Sequence, residues 1–387
     1  MQFYDLSGMA TGIRGSARRH APCRGAEETH LLLVPDQPGS FAKQLQRLEQ
    51  AYVAALDKLG LRPDSAVFRR LFASDLVNQR EALGASILSC GTAVSRVEQP
   101  ALPEAKIALY AHHVADPATP PRTRVAADGA GLWEHHGRTH LTATGLALPG
   151  EGSSYEQMRG ALLRFDGMLS SRGLTLLDHA LRTWIYLPAL DTDYPGIVRA
   201  RREFFADHGL NQDTHYLAST GIAGGAGDPA VRVMMDALAV QGLAPGQVHY
   251  LHALDHLSLT HLYGVTFERG TAVTYGDRTH VLLSGTASIN AQGQIVHPGE
   301  VLRQLDRTLE NMAALLADAG ATLEDMTHML VYLRDGADRR AIERAFLRRF
   351  PEMPYLILRA PVCRPGWLVE IEGTAILPTG NPAFAPF

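Results

Sequence analysis

One pattern occurs three times along this 387-residue chain, and it limits the possible folds more than any other feature. Each copy starts with an amphipathic helix whose apolar residues recur at positions i, i+3, i+4 and i+7. The helices stop at Gly60, Gly173 and Gly320, because glycine tolerates the left-handed conformation that often ends a helix. An apolar stretch with β-branched and aromatic residues, typical of a strand, follows each glycine. The sequence therefore predicts three similar units in tandem.

The flanks of the copies complete the unit. A strand precedes the helix in the second and third copies, a second helix follows the next strand, and a late strand closes each unit. The predicted unit is β-α-β-α-β, so the fold class is α+β with helices on one face of each sheet. The predicted segments are an N-terminal extension (1–27), a degenerate first unit (28–116), a linker (117–131), a central unit (132–265), a third, catalytic unit (266–378) and a tail (379–387).

Composition excludes several classes of protein. With 36 Lys and Arg against 40 Asp and Glu, a formal charge of -4 leaves no basic surface for nucleic acid. No segment approaches the roughly 18 uncharged apolar residues that a membrane span needs. The N-terminus lacks the apolar region of a signal peptide, and three cysteines are too few for a disulfide framework. We expect a cytoplasmic globular protein that binds neither nucleic acid nor membrane.

Familiar catalytic and metal-binding motifs are absent from the sequence. It has no G-x-S-x-G nucleophile elbow and no G-x-x-x-x-G-K-[ST] phosphate loop. His135, His136 and His140 in WEHHGRTH suggest zinc, but an i, i+4 pair binds zinc on a helix, whereas Gly137 and Thr139 favour a strand or turn. No cysteine or carboxylate is spaced to complete the ligand set. We interpret these histidines as structural and expect no metal and no cofactor.

Two residues near the C-terminus are candidates for chemistry. Glu370 and Glu372 alternate with apolar residues in WLVEIEGTAIL, so both carboxylates lie on one face of the predicted strand. A buried carboxyl either pairs with an arginine or has a raised pKa, which makes it a general acid near neutral pH. Cys363 precedes Arg364, whose charge favours a thiolate, although most free cysteines are small buried hydrophobes. The residue types alone leave both choices open.

The third unit, from HVLLSGTASIN to LVEIEGTAIL, resembles the YjgF-like family of reactive-intermediate deaminases. These are small trimeric proteins with a chorismate-mutase-like α+β fold. The resemblance therefore implies that the three units pack as an intramolecular pseudo-trimer and that the chain is a monomer. The deaminases bind a carboxylate with an arginine before their late cysteine, and Ile357 occupies that place here. This difference weakens the case for deamination.

Residues 130–376 are more similar to the chorismatases, which are built from YjgF-like units. The matching segments occur in the family's order: RTWIY, Tyr194 and Arg201, ASTGI, Tyr263 and Gly264, FERG, LSGTASI, VHPGEV and VCRPGWLVEIEG. Two positions depart from the family, Leu217 where proline is usual and Val198 where some members have asparagine. The first unit is only weakly YjgF-like and has no catalytic landmark.

The chorismatase resemblance implies an enzyme that releases pyruvate from chorismate without a metal or organic cofactor. Glu370 matches the family's acid, which protonates the enolpyruvyl methylene. Chorismate is a dicarboxylate, and arginine makes bidentate contacts with carboxylates. The implied substrate-binding residues are Arg201, Arg269, Arg344, Tyr263 and Arg364.

Gly285 and Cys363 are implied to determine the product. Family members that form a non-aromatic diol carry alanine at both matching positions, whereas members that aromatise the ring carry glycine and cysteine, as this chain does. The expected products are pyruvate and 3-hydroxybenzoate, with 4-hydroxybenzoate as a second product that some relatives form. Two alternatives stay open, a YjgF-type imine or enamine hydrolase and a non-catalytic ligand-binding protein. Retention of Glu370 with three family arginines favours the enzyme.

Overall fold

The computed structural model describes residues 1–22, 25–103, 105–150 and 152–387, and within them the chain forms three successive sets of helices and strands. The first set is β1 (Gln2–Asp5), β2 (Ile13–His20), β3 (Glu27–Pro35), α1 (Phe41–Leu59), β4 (Ala66–Ala73), α2 (Leu76–Ala85), β5 (Ala93–Glu98) and β6 (Ile107–Ala115). The second set is β7 (Arg122–Val125), β8 (Gly131–His135), β9 (Arg138–Ala147), α3 (Ser154–Ser170), α4 (Leu176–His179), β10 (Ala180–Leu187), α5 (Leu190–Asp207), β11 (Ala218–Ala223) and β12 (Met234–Gln241). The third set is β13 (Val248–Tyr250), β14 (Gly270–Thr274), β15 (Thr279–Ala287), α6 (Val301–Asp318), β16 (Met326–Leu333), α7 (Arg339–Arg349), β17 (Tyr355–Arg359) and β18 (Val369–Leu377).

Each set forms one six-stranded sheet, and the spatial order of strands is the same in all three. The orders are β1-β2-β3-β6-β4-β5, β7-β8-β9-β12-β10-β11 and β13-β14-β15-β18-β16-β17. The last pair in each order is parallel, and the other pairs are antiparallel. A parallel pair needs a crossover, and α2, α5 and α7 lie within the three crossovers. The predicted α+β repeat is confirmed, including in the first unit.

Local signals explain why the long helices form where they do. The side chain of Ser40 accepts a hydrogen bond from the backbone of Lys43 at the start of α1, and Gly60 ends that helix with φ at 62°. At the start of α3, Ser153 and Glu156 cap each other's backbone N–H groups reciprocally. These signals are all readable in the sequence, and the helices lie where the pattern places them.

The structure moves several predicted boundaries. Residues 1–27, predicted as an extension, supply β1 and β2 of the first sheet, and residues 117–131, predicted as a linker, contain β7 and the start of β8. Strand β13 belongs to the third sheet although it lies in the predicted central unit. Backbone hydrogen bonds to a neighbouring strand are enough to hold a strand at or near a sheet edge, so its side chains do not need to form a continuous apolar face. Their sequences, such as RTRV in β7, therefore carry little strand signal.

The three sheets close into a ring within one chain. Strand β5 contacts β9, β11 contacts β15, and β16 contacts β2, so each unit packs against both others. At the closing contact, the guanidinium of Arg18 donates hydrogen bonds to the carbonyls of Glu324, Met326 and Glu352 in the third unit. The chain is therefore the predicted intramolecular pseudo-trimer. In the described residues, no helix combines the length and the apolar composition needed to cross a bilayer.

Candidate active site

A cavity of about 500 Å³ lies between the second and third units. Helix α5 and strand β11 of the second unit form one wall, and β15, β18 and the segments before β14 and β18 form the other. The predicted site residues that line it are Arg201, Arg269, Gly285, Cys363, Arg364 and Glu370. Residues far apart in the sequence thus meet only because two units of the ring face each other.

Glu370, on β18, is a buried acid in the wall of this cavity, with 4% of its surface exposed. Burial, and after it the negative charge of Glu372, raise the pKa of Glu370 to about 8, against the opposing effect of Arg269. At neutral pH the carboxyl is therefore mostly protonated. It can give a proton to a ligand in the cavity.

Glu372 lies on the same face of β18 but is fully engaged. It accepts hydrogen bonds from Arg182 Nη2 at 2.6 Å, Trp184 Nε1 at 3.0 Å and the Tyr332 hydroxyl at 2.8 Å, and also from the hydroxyl of Thr220. These donors compensate the burial of a carboxylate. Of the two possibilities open for a carboxyl on this strand, Glu372 is the paired carboxylate. Glu370 is the carboxyl with the raised pKa.

Gly285, on β15, provides the space in which the Glu370 carboxyl lies. A Cβ atom at position 285 would be 2.9 Å from Cδ of Glu370 and 3.1 Å from Cγ2 of Thr220, and still closer to a Glu370 oxygen. The backbone N–H of Gly285 donates to Thr220 Oγ1 at 2.9 Å, which fixes this close approach. A side chain at 285 would therefore displace the acid itself.

Arg201, on α5, is a buried cation without a carboxylate partner among the described residues. It is 7% exposed, and its Nη2 donates to the carbonyl of Thr266 at 2.6 Å. Burial lowers its pKa to about 10, and Tyr194 opposes this effect in part. No hydrogen-bond partner of its Nε is found among the described residues. A buried guanidinium of this kind favours an anionic ligand.

Two further arginines lie on the third-unit side of the cavity. Arg269 is 7% exposed, donates from Nη2 to the Ser258 carbonyl at 3.0 Å, and has its guanidinium carbon 5.3 Å from the ring centre of Phe267. Arg364 donates to the Gly293 carbonyl at 3.0 Å and lies 5.0 Å from the ring centre of Trp367. Aromatic rings and carbonyls hold both guanidinium planes in fixed orientations.

Cys363 also lines the cavity, but not as the thiolate that Arg364 suggested. Burial and the nearby Glu370 raise the pKa of Cys363 to about 12, whereas a hydrogen bond with Tyr194 and the charge of Arg364 lower it only in part. At neutral pH the side chain is a thiol. The expected stabilisation by Arg364 is outweighed because Cys363 is desolvated and faces an acid.

Two predicted substrate-binding residues are not placed in the cavity. Arg344 is exposed on α7 and does not line it. The neighbouring Glu343 forms an ion pair with Arg14 of the first unit at 3.0 Å, so α7 faces the first unit and not the second. Helix α7 follows β16 as α5 follows β10, and equivalent helices face different neighbours around a ring. The side chain of Tyr263, the other residue, lies outside the described part of the structure.

Sequence reasoning missed several residues that shape the site. Trp367 was not singled out, yet its Nε1 donates to the Ser288 carbonyl at 2.9 Å and its ring supports Arg364. Thr220 accepts from Gly285 and donates to Glu372, which ties the two units together beneath the acid. Both residues lie within the quoted family segments, VCRPGWLVEIEG and ASTGI. Their roles depend on which faces meet between units, and periodicity carries no such information.

Metal-ligating side chains are grouped elsewhere in the described residues. Two groups have ligand atoms close enough to hold one ion, Glu28 with His30 and His112, and Asp116 with His135 and His136. Neither group lines the cavity beside Glu370. The chemistry available in the cavity is therefore that of a protonated acid, a thiol and fixed cations, which suits proton transfer to an anionic ligand.

Comparison with known proteins relates the third unit to small single-unit proteins. Residues 271–377 match the family model described as Endoribonuclease L-PSP. A stretch of 97 residues, 24% of this chain, is 31% identical to the 3-aminoacrylate deaminase RutC of Acinetobacter baylyi and covers 77% of that protein.

Larger proteins match over more than one unit. The 3-hydroxybenzoate synthase of Streptomyces hygroscopicus is 25% identical over 253 residues, which are 59% of this chain and 72% of that protein. A crystal structure of a chorismatase superimposes on 81% of this chain and 93% of its own with a TM-score of 0.63 and 19% identity. The fold of that structure is therefore shared by most of the ring described above.

Proposed function

We propose that this chain, which belongs to the YjgF-like family, is a member of its chorismatase branch and converts chorismate to pyruvate and 3-hydroxybenzoate. The similarity to a protein named 3-hydroxybenzoate synthase supports an enzyme of this type. The observation that carries the proposal is the buried Glu370, with its raised pKa, in a cavity shared with Arg201, which has no carboxylate partner among the described residues.

Substrate binding follows from the charges of the cavity. Chorismate has one carboxylate on its ring and one on its enolpyruvyl ether. Arg201 and Arg269 are buried cations whose desolvation is offset when an anion enters, and their planar groups suit carboxylates. We assign these two arginines to the two carboxylates, with Arg364 as a third cation in the lining.

Glu370 starts the reaction by giving its proton to the enolpyruvyl methylene carbon. The ether oxygen then shares the positive charge of an oxocarbenium ion. Protonation of carbon is slow, so an acid held un-ionised beside its target lowers the barrier most when its pKa is near the working pH. Arg269, which already opposes the raised pKa of Glu370, stabilises the carboxylate that remains.

The next step decides the product. In the aromatising route, the 4-hydroxyl oxygen attacks C3 of the ring, the bond from C3 to the ether oxygen breaks, and pyruvate leaves. The hydroxyl proton is lost and a ring epoxide remains. Cleavage of its C4–O bond, loss of the C3 hydrogen as a proton and protonation of the oxygen give 3-hydroxybenzoate. No water is consumed, and one released proton restores Glu370.

Cys363 enters this scheme as a thiol. Its raised pKa of about 12 makes it a poor nucleophile near neutral pH, but its S–H group can donate to the epoxide oxygen as the ring opens. Cys363 and Glu370 line the same cavity, and the nearby Glu370 is one of the causes that raise the pKa of the thiol. The proposed role is therefore hydrogen-bond donation during aromatisation.

Imine or enamine deamination is the second candidate, because the relative RutC is named a 3-aminoacrylate deaminase. The position that would hold the deaminase arginine is Ile357, which is fully buried in β17 and pairs with Val331 of β16. An apolar, inaccessible side chain there cannot bind a substrate carboxylate. This observation favours chorismate over small imines as the substrate.

The proposal is tested by incubating the purified protein with chorismate and separating the products by liquid chromatography with mass detection. We expect pyruvate and 3-hydroxybenzoate in equal amounts, with 4-hydroxybenzoate as a smaller product. A non-aromatic diol as the sole ring product would contradict the aromatising route. Unchanged chorismate, with turnover of 2-aminoacrylate instead, would replace the proposal by the deaminase.

A further inference from the structure

We propose that Asp116, His135 and His136 form a binding site for a divalent transition-metal cation, apart from the cavity that contains Glu370. His135 and His136 are the adjacent histidines of WEHHGRTH, for which no carboxylate partner was spaced in the sequence. The fold supplies one, because Asp116 follows the last residue of β6 and lies beside the turn between β8 and β9.

The three ligand atoms are close enough to share one ion. Asp116 Oδ2 is 3.1 Å from His135 Nε2 and 3.6 Å from His136 Nε2, and one ligand atom from each of the three residues lies within 4.8 Å of the other two. Zinc bonds of about 2.0–2.2 Å in a tetrahedral arrangement place neighbouring ligand atoms roughly 3.3 Å apart. The two measured separations lie on either side of that value. Little movement is needed to bring the three atoms to bonding distance.

The carboxylate is already oriented for this role. Asp116 Oδ1 accepts hydrogen bonds from the backbone N–H groups of Ala118 and Thr119, at 2.9 and 3.2 Å. These bonds occupy the oxygen that faces the loop, and Oδ2 is the oxygen that points to both imidazoles. Hydrogen bonds to a ligating carboxylate fix its direction and are typical of metal sites.

Ring orientation distinguishes this group from the other candidate. The planes of His135 and His136 meet at 67°, with ring centres 4.1 Å apart, so their nitrogen lone pairs can converge on one point. In the group of Glu28, His30 and His112, the rings of the two histidines are stacked at 13°, which directs their lone pairs side by side. Glu28 is also bound there by Arg278 at 2.7 Å, a cation that opposes metal binding. We therefore assign the ion to Asp116 and not to Glu28.

The site has an entry path and joins two units. The side chain of His136 is 32% exposed, whereas those of Asp116 and His135 are 4% and 1% exposed, so an ion reaches the buried ligands past His136. Three protein ligands leave a coordination position for water on the exposed side. Because Asp116 ends the first unit and the histidines belong to the second, a bound ion would cross-link the two units. Binding should therefore stabilise the fold.

The proposal is tested by adding zinc alone to the whole protein after treatment with a chelator. All variants are made in a Cys90→Ser background, because Cys90 is an exposed thiol that could itself bind zinc. The variants are Asp116→Asn and His136→Asn. Asparagine suits position 136, which has φ at 44° and precedes Gly137 in a two-residue turn, so His136→Asn should fold normally. The matched control is His249→Ala, which removes an exposed histidine whose Nε2 is 2.9 Å from Asp318 but which, among the described residues, belongs to no group of three ligating side chains.

We expect the background protein and the control to bind one zinc ion per chain, with Tm raised by zinc. The Kd of each site variant should rise by about tenfold or more, and zinc should no longer raise its Tm. Cobalt substitution should give visible absorption bands that both site variants lose. No zinc binding by the background protein, or equal binding by background, Asp116→Asn and His136→Asn, would overturn the proposal. Chorismate turnover is a separate measurement and does not decide the outcome.

Discussion

Two acids that are two residues apart on β18 differ because of what each side chain faces. Glu372 faces the donors Arg182, Trp184 and Tyr332, which compensate its burial. Glu370 faces a cavity and the backbone of Gly285, and among the described residues no comparable set of donors stabilises its ionised form. A carboxyl at such a position keeps its proton to higher pH, as the proposed role of a general acid requires.

Replacement of Glu370 tests the acid directly. Glu370→Gln keeps the size and polarity of the side chain but has no proton to transfer, so pyruvate release should fall by ~100-fold or more. A coupled assay for pyruvate measures the rate. Glu300→Gln, at an exposed carboxylate paired with Arg303, is the control and should keep the wild-type rate. Normal turnover by Glu370→Gln would remove this residue from the mechanism.

The pKa of Glu370 predicts how activity depends on pH. The acid must be protonated to act, and its pKa is raised to about 8, so kcat/KM should be level below this value and fall about tenfold per pH unit above it. The direction follows from the acid form being the active one. Initial rates from pH 6 to about 10 in buffers of constant ionic strength measure the profile. Activity that rises through pH 8 would show that a base, and not this acid, limits the reaction.

Gly285 and Cys363 are predicted to determine which product forms. Gly285→Ala places a methyl group against the Glu370 carboxyl, and Cys363→Ala removes the thiol beside it. The double variant should release pyruvate more slowly and shift the ring product from 3-hydroxybenzoate toward the diol, since water then competes with the 4-hydroxyl. Chromatography of the products measures the ratio. Cys90→Ala, at an exposed cysteine, should leave the ratio unchanged. The same ratio in the double variant would contradict the prediction.

At the scale of elements, the site depends on the contact between β11 of the second unit and β15 and β18 of the third. The Thr220 hydroxyl joins all three strands, because it accepts from the Gly285 N–H and from Arg182 at 3.0 Å and donates to Glu372. The strand that carries the acid is thus held by a residue of another unit. The position of Glu370 is a property of this contact and not of β18 alone.

Thr220→Val should therefore affect both stability and catalysis. Valine keeps the shape but leaves the Gly285 N–H and one Glu372 oxygen without this partner, which should cost about 1–3 kcal/mol in the free energy of unfolding. Urea unfolding measures this cost, and pyruvate release measures the effect on the site. Ser153→Ala is the comparison, because loss of the α3 cap should cost about 0.5–2 kcal/mol while activity is retained. Equal activity in the two variants would show that the β11 contact does not position the acid.

At the scale of the whole molecule, the ring places equivalent helices in different surroundings. Helices α5 and α7 have equivalent places in their units, but α5 borders the cavity that contains Glu370, whereas α7 faces the first unit. At that second contact, Arg14 is paired with Glu343 at 3.0 Å, whereas Arg201 has no carboxylate partner among the described residues. The contacts between units therefore carry different side chains, although the three units share one fold.

The closed ring also predicts the oligomeric state. Each sheet already packs against the other two within the chain, so the contacts that make small relatives trimeric are satisfied internally. We expect a monomer of 42.0 kDa by size-exclusion chromatography with light scattering. The mass should not change over a hundredfold range of protein concentration. A stable trimer of full-length chains would contradict the prediction.

The sequence by itself determined the repeat, the long helices with their caps, and the strand on which Glu370 and Glu372 share a face. These features depend on residues close together in the chain, where periodicity and capping act locally. The family resemblance then indicated Arg201, Arg269, Gly285 and Cys363, all of which line one cavity.

Only the tertiary structure decided which acid is paired, which arginines reach the cavity, and whether Cys363 is ionised. Arg182 and Glu372 are 190 residues apart, and the ion pair between them makes Glu372 the paired acid, whereas the pKa of Glu370 is raised. Arg344 matched the family by position, but the ring turns its helix toward another unit. Pairing, burial and pKa depend on which surfaces meet across units, and one-dimensional patterns do not contain that information.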